Sequence, residues 1–487
     1  MTLPPITASE TSEFVARAQA LLGPRGFTQD DDAMSPWLTD WRGRYTGRAL
    51  ALASPASTQE VAALVSLCAR YRIPLVPQGG NSGMSGGATP DRSGTAIVLS
   101  LRRLDAIRSL HPEEGQMVCG AGVILQTAQE AAAEQGLRFP LTLGGKGSAT
   151  IGGLVASNAG GTQVLRHGTM RDQVLGVEAV LADGTVLDLL TPLKKDNRGF
   201  DLKQLLIGSE GTLGIVTAAS LRLIPAICGR VVAWVTLSSI EDARRLLVRC
   251  EARLADTLEG FEIMPQACLD AVLAYLPAAR APLGPAPWHA LLEFAATVET
   301  EDGLRERIEA LLGEALDGGA IANATIGANE GQAEAFWHLR DSISAAERAR
   351  GPALQHDISV PTASMASFIR EATMAVEGRF PGTQALAFGH LGDGNVHFHV
   401  RAPVGSGPGW TDEQGSTISR FVHDLVTARG GSISAEHGIG QMKRDELQRL
   451  GDPARLAVMR RVKDALDPLG ILNPGKLLPL AQNGATA

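Results

Sequence analysis

An α+β fold of two principal domains is predicted by three observations: the length of the chain, short β-prone runs interspersed with amphipathic helical stretches, and glycines gathered into blocks. At 487 residues the chain exceeds one ordinary core, since domains usually hold about 100 to 200 residues. Its 55 glycines make up about 11 per cent, against a usual ~7 per cent. Five of them fall in residues 79–87 and eight in residues 144–168. Such clusters mark backbone that turns sharply or approaches a ligand closely.

The elements follow in order. A helix is expected over residues 10–22, and "RALALASPASTQEVAALVSLCARYRIPLVPQGG" reads as strand, helix, strand, loop. Ser57 or Thr58 can cap that helix, and Val61, Leu64, Val65 and Cys68 recur on one helical face. Strands at "TAIVLSL" and "MVCGAGV", a helix over "LQTAQEAAAEQG", and strands in "GVEAVLADGTVLDL" and "GIVTAASLRLIP" complete a first half, with a boundary near Ile227. A new strand and helix start at "VVAWVTLSSIEDARRLLVRCEAR", and "LPAARAPLGPAPWHA" reads as a surface excursion. Helices are expected over residues 303–312 and 330–348, then strands near "HDISVP" and "ALAFGHL". A helix and a Pro/Gly-rich tail close the chain, with "AQNGATA" expected to fray.

Composition narrows the function. The 44 basic and 52 acidic residues give a net charge of −8 with no long run of one sign, which argues against a nucleic-acid surface. Five scattered cysteines with no CxxC pair argue against a disulfide framework and a cysteine zinc site. No stretch approaches the roughly 20 apolar residues of a membrane span, and the N-terminal stretch lacks the flank and apolar run of a signal peptide. The expected location is cytoplasmic.

No GxGxxG and no GxxxxGK[ST] is present. The strand before Gly79, Gly80, Asn81, Ser82, Gly83, Ser85, Gly86 and Gly87 can nevertheless present consecutive N–H groups to a pyrophosphate. A flexible linker would not sit tightly between two strands. A second block, "TLGGKGSATIGGLVASNAGGTQVLRHGTMRD", and a third, "IGSEGTLGIVT", repeat the pattern and suggest a large cofactor.

The hairpin "FGHLGDGNVHFHV" carries the remaining chemistry. Asp-Gly between β-prone runs signals a two-residue turn, which would set His390 opposite His397 with His399 on the same face. Two imidazoles at that separation can share one ion. In "GSISAEHGIGQMKRD", Glu436 offers a third ligand and His437 stands beside it. Solvated or backbone-bonded histidines are the plain alternative.

The three glycine blocks resemble the FAD-binding half of the flavoprotein family typified by vanillyl-alcohol oxidase and the para-cresol methylhydroxylase flavoprotein. The resemblance implies a two-part FAD-binding domain with a glycine-rich pyrophosphate loop, an α+β substrate-binding cap domain and a short C-terminal segment. Its divisions fall at 1–40 (helical), 41–228 (FAD-binding), 229–430 (cap) and 431–487 (completing the active and flavin sites). It places at the cofactor Pro77, Gly79, Gly80, Asn81, Ser82, Gly83, Met84, Ser85, Gly86, Gly144, Ser148, Gly152, Gly153, Asn158, Gly160, Gly161, Glu210, Gly211, Gly214, Ile215 and Asn473. Many members tether the flavin through His or Cys in or near the first loop; Gly80, Asn81 and Ser82 stand here, so non-covalent FAD is implied.

"FGHLGDGNVHFHV", "SAEHGIGQMKRD" and "LDPLGILNPGKLLP" narrow the resemblance to the D-2-hydroxy-acid dehydrogenases of that family, the group that includes D-2-hydroxyglutarate and D-lactate dehydrogenases. It implies a divalent metal, commonly zinc, on His390, His397 and Glu436, and His437 as the base. It also implies substrate contacts from Arg340, Ser344, Gln355, Asn395 and His399. Gln355 and His399 replace the Lys and Asn of hydroxyglutarate enzymes, which favours a monocarboxylate such as D-lactate, or a bulkier acid, over the C5 diacid. The implied acceptor is an electron-transfer flavoprotein or a quinone, and a homodimer is compatible. The rival readings are a sugar or alcohol oxidase that keeps FAD without the metal, and a flavin-free metal-dependent hydrolase.

Overall fold

The structure, a computed structural model, describes residues 6–191, 193 and 195–480; the tail "AQNGATA" lies outside them. The chain forms two compact units, the first from residues 1–160, 169–225 and 436–487, the second from 161–168 and 226–435. The C-terminal segment thus belongs to the first unit, and the excursion of residues 161–168 into the second has no sequence signal.

In the first unit, helix Thr58–Tyr71 starts where Ser57 Oγ accepts from the Glu60 N–H at 3.1 Å and buries Val61, Leu64, Val65 and Cys68 completely. It connects strands Ala51–Ala53 and Leu75–Gln78, which both run parallel to Ile97–Ser100 between them. Such buried parallel strands need near-continuous apolar sequence, which "IVLS" and "LVPQ" supply. The N-terminal helix begins at Ala8 rather than residue 10, because Thr7 and Glu10 form a capping box. Its Phe14 meets the Tyr71 ring edge-on at 6.0 Å, tying it to the same core. Ile471 and Leu472 join that core from the C-terminal segment, and Leu472 bridges Leu75. A five-stranded antiparallel sheet of Ile107–His111, Gln116–Gly120, Ile215–Arg222, Val174–Val180 and Val186–Asp188 completes the unit.

One buried carboxylate is expected to make this unit acid-sensitive. Glu178 Oε1 accepts from Thr58 Oγ1 at 2.6 Å, Thr217 Oγ1 at 2.7 Å and Arg108 Nη2 at 2.8 Å. Burial pushes the carboxyl up, but these partners together hold it below its ordinary value. A depressed folded-state pKa stabilises above the unfolded value of about 4.3 and is lost as pH falls through the folded value. The melting temperature of the native protein should therefore exceed that of Glu178→Gln near neutrality, and the gap should close on acidification below about pH 4. A gap independent of pH would contradict this.

The second unit is a seven-stranded sheet in the order Asn323–Ile326, Gly229–Leu237, Trp288–Ala296, Leu258–Pro265, Gln384–His390, Asn395–Arg401, Ala353–Ser359, antiparallel throughout. Period-2 alternation sorts its side chains. Phe261, Ile263, Ile358, Val396, Phe398 and Val400 fill one face, in a core shared with helices Ile240–Leu254, Glu301–Asp317, Met365–Arg379 and Trp410–Ala428. The other face packs Trp234, Met264, Leu291 and Phe388 against helices Gln266–Tyr275, Glu330–Asp341 and Ile343–Ala349. The last two occupy the span predicted as one helix over 330–348, which breaks for a single residue at Ser342 (φ −75°, ψ −10°). Among the described residues no helix is long and apolar enough to cross a membrane.

Candidate active site

Strand Leu75–Gln78 delivers the first glycine block to a cleft that lies wholly within the first unit. Pro77, Gly79, Gly80, Asn81, Ser82, Gly83, Met84, Ser85, Gly152, Gly153, Glu210, Gly211, Ile215 and Asn473 line it, and so does His437. Gly80 is fixed by sterics: a Cβ there would sit 1.8 Å from the Ser148 carbonyl oxygen, so first and second glycine blocks pack backbone to backbone. Asn81 takes a left-handed φ of 53°, with Nδ2 donating to Thr39 O at 2.9 Å.

The third block is tied to the loop that carries His437. Glu210 accepts from the N–H groups of Ile439 and Gly440, each at 2.7 Å, while Ser85 Oγ donates to His437 O at 3.0 Å and Gly438 O at 3.1 Å. Burial pushes the Glu210 carboxyl up, opposed by those two N–H donors and by Lys443 and Lys476. Asn473 Nδ2 donates to Gly87 O at 3.0 Å and Glu210 O at 2.7 Å, which closes the ring of segments. Sequence reasoning missed Gln78 and Thr150, which also line the cleft. The buried atoms Gln78 Oε1, Thr150 Oγ1 and Asn473 Oδ1 have no hydrogen-bond partner among the described residues. A large polar ligand fits such a lining, because buried polar atoms are rarely left unpaired.

Gly86, Gly144, Ser148, Asn158, Gly160 and Gly214 are outside this lining, and Gly161 belongs to the second unit. Asn158 instead caps helix Ile151–Ser157 at φ 49° and accepts from the Arg171 N–H at 2.9 Å. Gly214 packs where a Cβ would meet Leu206 at 2.9 Å.

In the second unit the hairpin register differs from the predicted one. His390 pairs with Asn395 and His397 with Phe388, because the loop holds four residues, 391–394, instead of two. Gly394 sits at φ 83° with its Cβ position 2.2 Å from Val360 O, so glycine is required there. A two-residue shift preserves the face, since side chains alternate with period 2. His390, His397 and His399 still project together, with the His390 and His397 ring centroids 5.4 Å apart. His399 meets the Phe388 ring edge-on at 5.1 Å. Across the neighbouring pair, Gln355 faces His399, Asp357 faces His397 and Ser359 faces Asn395.

Glu262 faces His390 from the other side and is fully buried. It accepts from Arg340 Nε at 2.8 Å, with Nη2 of the ion pair 2.7 Å from the same oxygen, and it bonds His390 Nδ1. Burial pushes this carboxyl up, but the Arg340 cation and the His390 ring outweigh burial and hold it down to about 2. The partner of Arg340 is thus a carboxylate inside the sheet, not one exposed on its own helix. Arg340 is itself buried, its guanidinium carbon 5.6 Å from the Phe388 ring centre. Asn395 Nδ2 donates to Asp357 Oδ1 at 2.9 Å and Ile358 O at 3.0 Å, while its Oδ1 is without a partner among the described residues. Ser344 is half-buried on helix Ile343–Ala349, just past the break that follows Arg340. Glu262 stood in no sequence motif, and Asp357, inside "HDISVP", was read only as part of a strand and not as a site residue. Glu436 and His437 open the segment that returns to the first unit.

Two family models match the chain: "FAD binding domain" over residues 49–190 and "FAD linked oxidases, C-terminal domain" over residues 229–477. A rice protein (Oryza sativa subsp. indica) named probable D-2-hydroxyglutarate dehydrogenase, mitochondrial, is 36% identical over 96% of this chain and 82% of its own. The Bos taurus protein named D-2-hydroxyglutarate dehydrogenase, mitochondrial, is 38% identical over 92% and 80%. The crystal structure of p-cresol methylhydroxylase with substrate bound superposes with a TM-score of 0.76, covering 98% of this chain and 99% of that one at 15% identity, a likeness of fold. The two relatives named mitochondrial correct the cytoplasmic location read from the sequence.

Proposed function

We propose that this chain, which belongs to the FAD-linked oxidase family and is an FAD-dependent oxidoreductase, oxidises a D-2-hydroxy acid to the 2-oxo acid, with D-2-hydroxyglutarate the first candidate. The observation that carries this reading is the cleft of the first unit, where the glycine-loop backbone, the orphaned acceptors and His437 meet. The substrate candidate follows from the names of the relatives. Gln355, directly opposed to His399 in register, offers the substrate tail an uncharged amide, so D-lactate and D-malate belong in the same test.

The residues divide the work. When bound in the cleft, FAD supplies the hydride acceptor. A divalent ion fits the donor chemistry of His390, His397 and Glu436, two imidazoles on one sheet face and a carboxylate, and would supply Lewis acidity toward the substrate hydroxyl. His437 takes the hydroxyl proton, an imidazole being matched to that task near neutral pH. The unpartnered Oδ1 of Asn395 can accept a hydrogen bond from the substrate. Electrons then pass to an external acceptor, an electron-transfer flavoprotein or a quinone.

Anaerobic addition of D-2-hydroxyglutarate, D-lactate or D-malate to the purified protein should bleach the visible flavin band with one D-acid and not with its L-enantiomer, and EDTA should abolish the effect. A colourless protein would overturn the reading, and bleaching indifferent to chelation would replace it with a metal-free oxidase.

A further inference from the structure

Within the second unit, Glu262, His390 and Arg340 form one buried chain of charge. Glu262 faces His390 in the strand register and is 0% exposed, so the bond to Nδ1 is built into the sheet rather than made by a mobile surface group. Arg340 pairs with the same carboxylate, its Nε donating to Oε2 at 2.8 Å and its Nη2 lying 2.7 Å from that oxygen, which neutralises a charge otherwise prohibitive to bury. An ionised carboxylate only accepts, so His390 must donate from Nδ1, and its lone pair lies on Nε2.

We propose that Glu262 is a positioning residue for His390: its carboxylate, anchored by Arg340, locks the imidazole in the Nδ1–H tautomer and presents Nε2 to the metal. Arg340 thereby acts on the site through Glu262, beside any contact it makes with substrate. A carboxylate behind a ligating histidine fixes ring orientation and raises ligand basicity. The inference rests on the reading of His390 as a metal ligand, and its test is independent of turnover.

Chelator-stripped native protein and Glu262→Gln, both with flavin bound, are titrated with Zn2+ against a chromophoric chelator. Zn2+ affinity should fall on the order of 10- to 100-fold in Glu262→Gln, with partial recovery in Glu262→Asp. Since Glu262→Gln strands the Arg340 cation, the double variant Glu262→Gln/Arg340→Met removes both charges and should show the same loss. In histidine-labelled native apo-protein, the 15N shifts of His390 should report a protonated Nδ1 and bare Nε2. Unchanged Zn2+ affinity in both variants, or a native protein that binds no Zn2+, overturns the proposal. Native Zn2+ binding that depends on Glu262, with no D-acid reducing the flavin, sustains it while the proposed activity falls.

Discussion

Glutamine in place of His437 is expected to slow anaerobic reduction of the bound flavin by the D-acid by about 10²- to 10⁴-fold, the usual contribution of a positioned general base. In free energy that is about 3 to 5 kcal/mol of barrier. The flavin spectrum and content should be retained, because the backbone of this loop is held without the imidazole. Ser85 Oγ donates to the carbonyl oxygens of His437 and Gly438, and the next two N–H groups bond Glu210. The side chain can therefore be changed while the loop stays tied to the glycine blocks. Stopped-flow reduction at saturating substrate separates the step from binding: a fall in the limiting rate with little change in half-saturation marks an interaction made in the transition state. A limiting rate within a few-fold of the native one would remove His437 from the mechanism and leave it as a wall of the cleft.

Features encoded locally were legible in the sequence. The helix over residues 58–71 has a serine cap and an apolar face, and both are where the spacing puts them. The glycine loop after "LVPQ" lines the cleft because strand, turn and small side chains are consecutive in the chain. The hairpin shows where local reasoning stops. "DG" predicts a two-residue turn, yet a four-residue loop forms, with Gly394 pressed against Val360, a residue more than 30 positions away. Only the parity survived, which kept the three histidines on one face. Glu262 was invisible for a related reason. Glu262 meets His390 across 128 residues of chain, a pairing set by the order of strands in the sheet. A lone Glu in "EGFEIMP" carries no periodic or motif signal of that partner. Arg340 could be placed on a helix but not given its partner, since the choice between a surface pair and a buried one depends on which sheet face the helix covers.

Alanine at Gly80 is expected to give a protein that neither retains flavin nor melts at the native temperature. The added methyl would lie 1.8 Å from the Ser148 carbonyl oxygen and 2.7 Å from its carbon, so the contact is with backbone and cannot be relieved by rotating a side chain. One strand-to-loop junction would have to separate from the other glycine block. Overpacking of this kind destabilises by about 1–3 kcal/mol, occasionally more. That corresponds to roughly 2–4 °C in melting temperature for each kcal/mol in a unit of this size. The flavin is lost for a separate reason, because the same displacement moves Gly79, Asn81 and Thr150 away from the cleft they line. Gly144→Ala is the control: its added methyl meets no atom within 4 Å and its residue is outside the lining, so flavin content and melting temperature should be close to native. Comparing the flavin-to-protein absorbance ratio and the melting curve of the two variants decides the matter. Equal behaviour would mean that residues 79–80 can move without consequence, and the pyrophosphate would then have to be held by the second and third blocks instead.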